Sequence, residues 1–154
     1  MIRRVVFWAA GLALIAVFSL SAYLRLVPLE ASRWHLALDS SAAPGAGRCV
    51  ETIQPQHNGA RSACLLAGHP AEIITEINTI ALATPRTTRL AGTPEEGRIT
   101  WISRTKLMGY PDVITAQGTA TATGTRLDVF SRQVYGSGDW GVNAARLKDW
   151  LSRL

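Results

Sequence analysis

The chain has 154 residues, a length that suits one domain of ordinary size and excludes an α/β barrel or a large two-lobed enzyme. Its formal net charge of +5 comes from 16 basic and 11 acidic residues. Arg3, Arg4 and Arg25 flank an apolar N-terminal run, so only 13 basic residues face the 11 acidic ones in the rest of the chain. This near balance lacks the basic stripe of a nucleic-acid-binding protein, and we predict no nucleic-acid partner.

The apolar run extends over residues 5–24, which are 20 residues without a charge. A helix of that length spans roughly 30 Å, the thickness of the hydrocarbon core of a bilayer. Arg3 and Arg4 precede the run, so the positive-inside rule places the N-terminus in the cytoplasm. We predict a single-pass inner-membrane protein with a cytoplasmic N-terminus and a periplasmic C-terminal domain.

A cleaved signal peptide is the alternative interpretation of the same run. Ser19 and Ser21 are small enough for the −3 and −1 positions of a cleavage site. Against it, the run is longer than a usual signal core, and Arg25 with Pro28 is typical of the end of a membrane span. Both interpretations export the rest of the chain.

Cys49 and Cys64 are the two cysteines. A bridge between them would be worth about 3 kcal/mol in the chain-entropy model, and such pairs form in oxidising compartments. We predict this disulfide, with two free thiols as the alternative. Zinc ligation together with His57 and His69 is disfavoured, because the close C-x-x-C pairing of structural zinc sites is absent. No metal and no cofactor are predicted.

Three regions organise the chain: an anchor or signal sequence in residues 1–28, an irregular linking segment in residues 29–68, and a domain in residues 69–154. In the domain, Pro70 suits a first helical position and isoleucines recur at helical spacing as far as Ile80. Pro85 ends this predicted helix.

Beyond that helix the hydrophobic period changes to two, which predicts strands. Residues 98–104 alternate, and residues 113–120 and 126–135 bracket a tight turn that is typical of a hairpin. A final amphipathic helix is predicted from about Val142 to Leu154. The predicted fold class is therefore α+β, a small antiparallel meander with helices packed on one face.

The segment from Gly136 to Gly141 matches the G-x-G-x-x-G pattern of dinucleotide-binding sites. Too few residues follow it for the returning parallel strand of that fold, and Asp139 would repel a pyrophosphate. The glycines are better explained by a sharp turn into the last helix, with Asp139 or Asn143 as its cap. Small-anion binding at this helix start stays open.

Catalytic patterns are weak. A G-x-S-x-G elbow is absent, and all three histidines lie in the first half of the chain. A hydrolase would need Asp128 or Asp139 within reach of a histidine. Enzyme activity is uncertain, and we expect a non-enzymatic protein.

Charged side chains concentrate on two predicted strands that we take to be neighbours. Arg104, Asp128 and Arg132 share one face there, and cross-strand pairing explains them without a ligand. A groove that accepts an anionic group is the functional alternative.

Three motifs in order resemble the domain-of-unknown-function family 1499 (DUF1499). They are residues 106–112 (KLMGYPD), 126–132 (RLDVFSR) and 136–146 (GSGDWGVNAAR), and the resemblance covers roughly residues 70–154. It implies a small exported or membrane-attached protein, mainly bacterial, without an established activity. The stretch Arg48–Thr52 departs from the Asn-Cys-Val-Ser-Ser-like sequence of such proteins. The family pattern is strongest at Asp128, Ser131, Arg132, Asp139, Gly141, Asn143 and Arg146.

These observations predict a membrane-anchored accessory protein that binds an envelope or inner-membrane partner. Binding of a small anionic ligand or lipid headgroup by an Arg-rich strand face is the first alternative, and a hydrolase is the second. The candidate ligand- or partner-binding residues are Arg104, Asp128, Ser131, Arg132, Asp139, Asn143 and Arg146.

Overall fold

The computed structural model describes residues 2–45 and 47–154, and in that part of the chain six strands form one antiparallel sheet. The strands are β1 (Gln54–Gln56), β2 (Gly59–Leu66), β3 (Thr87–Thr93), β4 (Arg98–Arg104), β5 (Pro111–Thr121) and β6 (Gly124–Gln133). Their order across the sheet is β1-β2-β6-β5-β4-β3. Strands β3 to β6 are the expected meander, and the β1–β2 hairpin extends it along β6.

Four α-helices accompany the sheet in the described residues: α1 (Ile2–Leu26), α2 (Ala31–Trp34), α3 (Pro70–Ala83) and α4 (Val142–Ser152). Helix α3 starts where the sequence predicts, because Pro70 needs no hydrogen-bond acceptor and the His69 Nδ1 accepts from the Ala71 N–H at 3.4 Å. Helices α3 and α4 both contact the sheet. The α+β class is confirmed.

The hydrophobic core lies between the sheet and these two helices. Alternate strand residues point into it, so Ile99, Trp101 and Ile114 are fully buried. Trp101 meets Trp150 of α4 edge to face, with ring centroids 5.6 Å apart, and its indole N–H donates to Asn78 Oδ1 of α3 at 3.1 Å. The sheet and both helices therefore share one core.

The second face of the sheet is covered by residues 27–45, a segment that we call the strap. The His35 ring lies 2.9 Å from the Thr100 hydroxyl, the Leu38 N–H donates to the Gln117 side chain at 3.1 Å, and Ser40 donates to Asp128 at 2.9 Å. The strap thus pairs with the polar side chains that alternate outward from the core. The sequence predicts only an irregular segment here, because these partners lie more than sixty residues away.

A disulfide and a tight hairpin attach residues 47–66 to the sheet. Cys49 and Cys64 are joined, with 5.1 Å between their Cα atoms, and both are buried. Gly59 follows the turn and lies so close to β6 that a Cβ there would be 2.4 Å from the Ser131 carbonyl oxygen. The predicted segment 29–68 therefore contains two strands of the sheet. Met1 and Ala46, which fall in the predicted anchor and linking segments, are outside the described residues.

Candidate functional site

Four polar side chains form a buried group where β5, β6 and α4 meet. We call this group, Asp112, Ser131, Asn143 and Arg146, the polar cluster. The Arg146 Nη2 donates to Asp112 Oδ2 at 2.7 Å, and its Nη1 donates to Asn143 Oδ1 at 2.6 Å and to the Ser131 hydroxyl at 3.1 Å. The guanidinium group thus links the strand carboxylate to the helix.

The local sequence explains how the cluster is assembled. Asp112, Ile114 and Ala116 alternate on the helix side of β5, and Ser131 faces the same side from β6. The last helix begins after residues 136–141, which we call the glycine loop. Gly141 has a φ of 80°, a left-handed conformation that favours glycine, and allows the sharp entry into α4 that places Asn143 and Arg146 against the start of β5 and the end of β6.

Asp139 fixes the start of α4. Its Oδ2 accepts from the Asn143 N–H at 3.0 Å, and its Oδ1 accepts from the Gly141 N–H at 3.1 Å. A carboxylate at this position also faces the positive end of the helix dipole. Asp139 therefore caps the helix, as the sequence suggests, in addition to any binding role.

The two carboxyl groups of the region have opposite electrostatic properties. Burial raises the pKa of the Asp112 carboxyl above its ordinary value, and the Arg146 guanidinium opposes this shift only in part. Burial also acts to raise the pKa of Asp139, but hydrogen bonds from Asn143 and Gly141 outweigh it, so the net pKa is lowered. Asp139 is thus held ionised, whereas ionisation of Asp112 depends on Arg146.

A cleft of about 340 Å³ opens beside the polar cluster, between the β4–β5 connection and the glycine loop. Small-molecule sites commonly begin at this size. Three aromatic side chains border the cleft, and Trp140 is 95% exposed with a φ of 53°. Residues that line it include Tyr110, Asp112, Gln133, Tyr135, Asp139 and Trp140.

One side-chain amide nitrogen that lines the cleft lacks a hydrogen-bond partner among the described residues. It is the Gln133 Nε2, which is buried without an acceptor. The Asn143 amide, by contrast, lies between Asp112 and Asp139 and lowers the pKa of both carboxyl groups. A buried donor without an acceptor is uncommon and costly, so Gln133 calls for an acceptor from outside the chain.

The structure brings together four of the seven predicted site residues. Ser131, Asn143 and Arg146 belong to the polar cluster, and Asp139 lies between that cluster and the cleft. Sequence reasoning missed Asp112 and Gln133. Gly109 and Pro111 before Asp112 are typical of a turn, but β5 already begins at Pro111, and the alternation of Asp112 with Ile114 was the available signal.

Asp128 lies on the opposite face of the sheet. It accepts two hydrogen bonds from Arg126, each 2.8 Å long, and one from Ser40 of the strap. The expectation that it sits on a strand next to that of Arg104 is wrong, because β5 separates β4 from β6. The predicted cross-strand pairing is accordingly replaced by a pairing within β6.

Arg132 also faces the strap. Its Nη2 donates to the Trp34 carbonyl oxygen at 3.1 Å, and its guanidinium group lies 4.7 Å from the ring centre of Phe130. Arg61 lies over the same ring at 4.1 Å. Burial, and then the charge of Arg61, lower the pKa of Arg132. Arg61 Nε and Arg132 Nη1 are buried without partners among the described residues.

Arg104 connects the sheet to the first helix. Its guanidinium group donates to the carbonyl oxygen of Leu24 and, at 2.9 Å, to that of Val27. Arg25 returns the contact by donating to the Leu107 carbonyl oxygen at 2.8 Å. The bonds from Arg104 use carbonyl groups that the end of α1 leaves free. The end of α1 is therefore bound to the β4–β5 connection.

The three histidines have separate surroundings in residues 2–45 and 47–154. His35 faces Thr100 and His69 caps α3, while His57 borders the outer side of the glycine loop. Within these residues no histidine makes a hydrogen bond to Asp128 or Asp139, and no three His, Cys, Asp or Glu side chains are grouped to hold a metal ion.

Residues 39–154 match the sequence profile of a family described as "Protein of unknown function (DUF1499)". The match begins well before residue 70, so it includes the disulfide and the β1–β2 hairpin, but it leaves out α1 and most of the strap. No curated protein and no solved structure shows significant similarity to the chain.

Proposed function

The chain belongs to the DUF1499 family of proteins of unknown function, and we propose that it is a single-pass inner-membrane protein whose periplasmic domain is a non-enzymatic accessory component of an envelope complex. The contact between α1 and the domain is the observation that carries this proposal. It means that the domain is held at the end of the helix and does not hang from a flexible tether.

The properties of α1 support a membrane span. The helix covers 25 residues, is long and apolar enough to cross a bilayer, and buries only Leu24 against the domain. Its large apolar side chains from Ile2 to Tyr23 are exposed on all sides, which suits a lipid environment and not an aqueous one. Arg3 and Arg4 before it favour a cytoplasmic N-terminus.

The β4–β5 connection supports a partner close to the membrane. Leu107 is 82% exposed there, directly beside the end of α1, and Lys106 adjoins it. A protein docked at this point would contact both the domain and the span. Fixed attachment also raises the local concentration of the domain near other membrane components.

Site-specific crosslinking tests the proposal. A photo-reactive amino acid in place of Leu107 should give one discrete adduct in intact cells, and the same partner should co-purify in stoichiometric amount after mild detergent extraction. Glu76 is exposed on α3, distant in sequence from the β4–β5 connection. It is the matched control position and should give no adduct. The absence of an adduct in cells, together with a protein that stays monomeric in several detergents, would contradict the proposal.

A second candidate, binding of an anionic group, is favoured by Arg61 and Arg132. Their guanidinium groups are neighbours, neither forms an ion pair with a carboxylate in the described chain, and each keeps a buried donor without a partner. Asp39 is close enough to Arg61 for the Arg61 charge to help lower the pKa of its carboxyl, but it makes no ion pair with either arginine. Like charges placed together are costly, and a phosphate or carboxylate would relieve that cost.

The test of this second candidate compares inorganic phosphate with nanodiscs of phosphatidylglycerol. The Arg61→Ala variant should weaken binding of whichever anion is recognised, and Arg89→Ala, an exposed arginine on β3, should not. Equal binding by both variants would exclude the Arg61–Arg132 pair as the site.

A further inference from the structure

We infer that the cleft between the β4–β5 connection and the glycine loop binds a carbohydrate, with ring stacking on Trp140 and hydroxyl groups bound by Gln133 and Asp139. This goes beyond the proposed function, which concerns a protein partner at Leu107. It does not rest on the compartment of the domain, because every group involved belongs to the domain itself.

The polar groups of the cleft decide the class of ligand. Asp139 offers lone pairs of an ionised carboxylate, while the Gln133 Nε2 needs an acceptor. A hydroxyl group donates one hydrogen bond and accepts others, so a single kind of ligand group satisfies both. Adjacent hydroxyl groups on a sugar ring could meet the carboxylate and the amide at once.

Two other ligand classes fit less well. A phosphate would approach the carboxylates of Asp112 and Asp139, and Arg146 already pairs with Asp112. A quaternary or primary ammonium group would suit the aromatic rings and the carboxylates. It has no acceptor, however, and would leave the Gln133 amide unsatisfied in a site closed by the ligand.

The aromatic border fits the same ligand. Tyr110 and Tyr135 are about two-fifths exposed, at 40% and 39%, and Trp140 is almost wholly exposed. A large indole exposed to water is an apolar surface that a ligand can cover. The C–H face of a sugar ring is flat and apolar enough to stack on it, while the rim of the ring carries the hydroxyl groups.

The experiment uses the full chain in a polyoxyethylene detergent, because detergents with sugar headgroups would compete. Maltose, lactose and N,N′-diacetylchitobiose are added in turn, and binding is followed by saturation-transfer NMR and by tryptophan fluorescence. We expect at least one of them to bind. Trp140→Ala and Gln133→Leu should each weaken that binding by about tenfold, the loss typical of one stacking or hydrogen-bonding group.

Leu82→Ala is the matched control, since it removes an exposed apolar side chain from α3, outside the cleft, and should leave sugar binding unchanged. Trp140→Ala removes no core contact, so it decides the result if Gln133→Leu proves unstable. Nanodiscs with and without a galactosyl diacylglycerol distinguish a membrane glycolipid from a free sugar as the ligand. If the ligand is the glycolipid, its presence in the nanodisc should block binding of the free disaccharide.

Three results would overturn the inference. One is the absence of binding by all three disaccharides and by the glycolipid. Another is sugar binding that Trp140→Ala leaves unchanged, because the site would then lie elsewhere. The third is a fluorescence response at Trp140 to tetramethylammonium or inorganic phosphate but to no sugar.

Discussion

At the scale of single residues, the ion pair of Asp112 and Arg146 is the most constrained feature of the polar cluster. The side chains are 8% and 11% exposed, and their closest atoms are 2.7 Å apart. A buried pair of this kind gains little over an apolar pair of the same size, but either partner alone is a buried uncompensated charge. The two residues should therefore depend on each other far more than on the rest of the protein.

We expect Arg146→Met to lower the free energy of unfolding by about 3 kcal/mol, since Asp112 then stays buried without its charged partner. The double variant Asp112→Leu/Arg146→Met should recover most of that loss. Urea unfolding of the full chain in detergent, followed by tryptophan fluorescence, measures both.

The control is Arg153→Met, which breaks the exposed pair with Asp149 and should cost about 0.5 kcal/mol or less. Equal losses for Arg146→Met and Arg153→Met, or no recovery in the double variant, would contradict a buried, coupled pair.

Asp139 gives a prediction with a definite pH dependence. Its folded-state pKa lies below the ordinary value of 3.8, so its charge stabilises the fold above that pH, and the contribution is lost as the pH falls through the lowered pKa. Asp139→Asn should cost about 1 kcal/mol at about pH 7 and much less at about pH 3. Urea unfolding at the two pH values is the measurement, and a cost that grows on acidification would show that the carboxylate does not cap α4.

The residues of the site were only partly predictable for a physical reason. Asp139, Asn143 and Arg146 lie in a short motif with strong local signals of a turn and a helix start, and Ser131 lies in a segment predicted as a strand. Asp112 follows a glycine and a proline, which suggest a turn, and its role depends on Arg146, 34 residues away. Such long-range pairing leaves no local pattern.

At the scale of elements, the disulfide holds the turn of 3₁₀ helix at Cys49–Thr52 against β2. Both sulfur atoms are buried in the core, and Ser62 of β2 adds a hydrogen bond of 3.0 Å to the Cys49 carbonyl oxygen. This short element is not a stable helix by itself. Its position therefore depends on these two attachments.

The double variant Cys49→Ala/Cys64→Ala should lose about 3 kcal/mol of stability through the greater freedom of the unfolded chain. Urea unfolding with and without dithiothreitol provides the comparison: the reductant should destabilise the wild type and leave the variant unchanged. A wild type that does not respond to the reductant after unfolding in its presence would contradict the bridge.

The same scale shows where sequence patterns are sufficient. Helix α3 and the β5–β6 hairpin rest on local spacing and turn residues, and both are found near their predicted bounds. Strand β2 was missed although Ala60, Ser62 and Cys64 alternate inward, because its glycine and alanines have low strand propensity and because its partner β6 is far along the chain. The strap could not be predicted either, because its position depends on hydrogen bonds to polar groups of the sheet that are distant in sequence.

At the scale of the whole molecule, α1 and the domain form one body through Arg104. Its guanidinium group is partly buried against helix-end carbonyl groups, and burial lowers its pKa. The guanidinium group stays charged and donates to three backbone carbonyl groups. Removing Arg104 therefore leaves all three acceptors without this donor.

We expect Arg104→Met to free the domain from the helix without unfolding it. Spin labels on cysteines introduced at Leu12 and Glu76, both exposed, report the distance in nanodiscs, and the native cysteines do not react because they are joined. The wild type should give a narrow distance distribution and Arg104→Met a broad one, with Arg89→Met as a control that stays narrow. A broad distribution in the wild type would refute the fixed attachment.

The location of the domain relative to the membrane is tested most directly by reporters fused after Leu154. Alkaline phosphatase folds only where its disulfides can form, and green fluorescent protein exported through the general secretory route stays dark. An anchored and exported domain predicts high phosphatase activity in the membrane fraction and no fluorescence. Bright fluorescence with an inactive phosphatase would place the C-terminus in the cytoplasm and contradict the account.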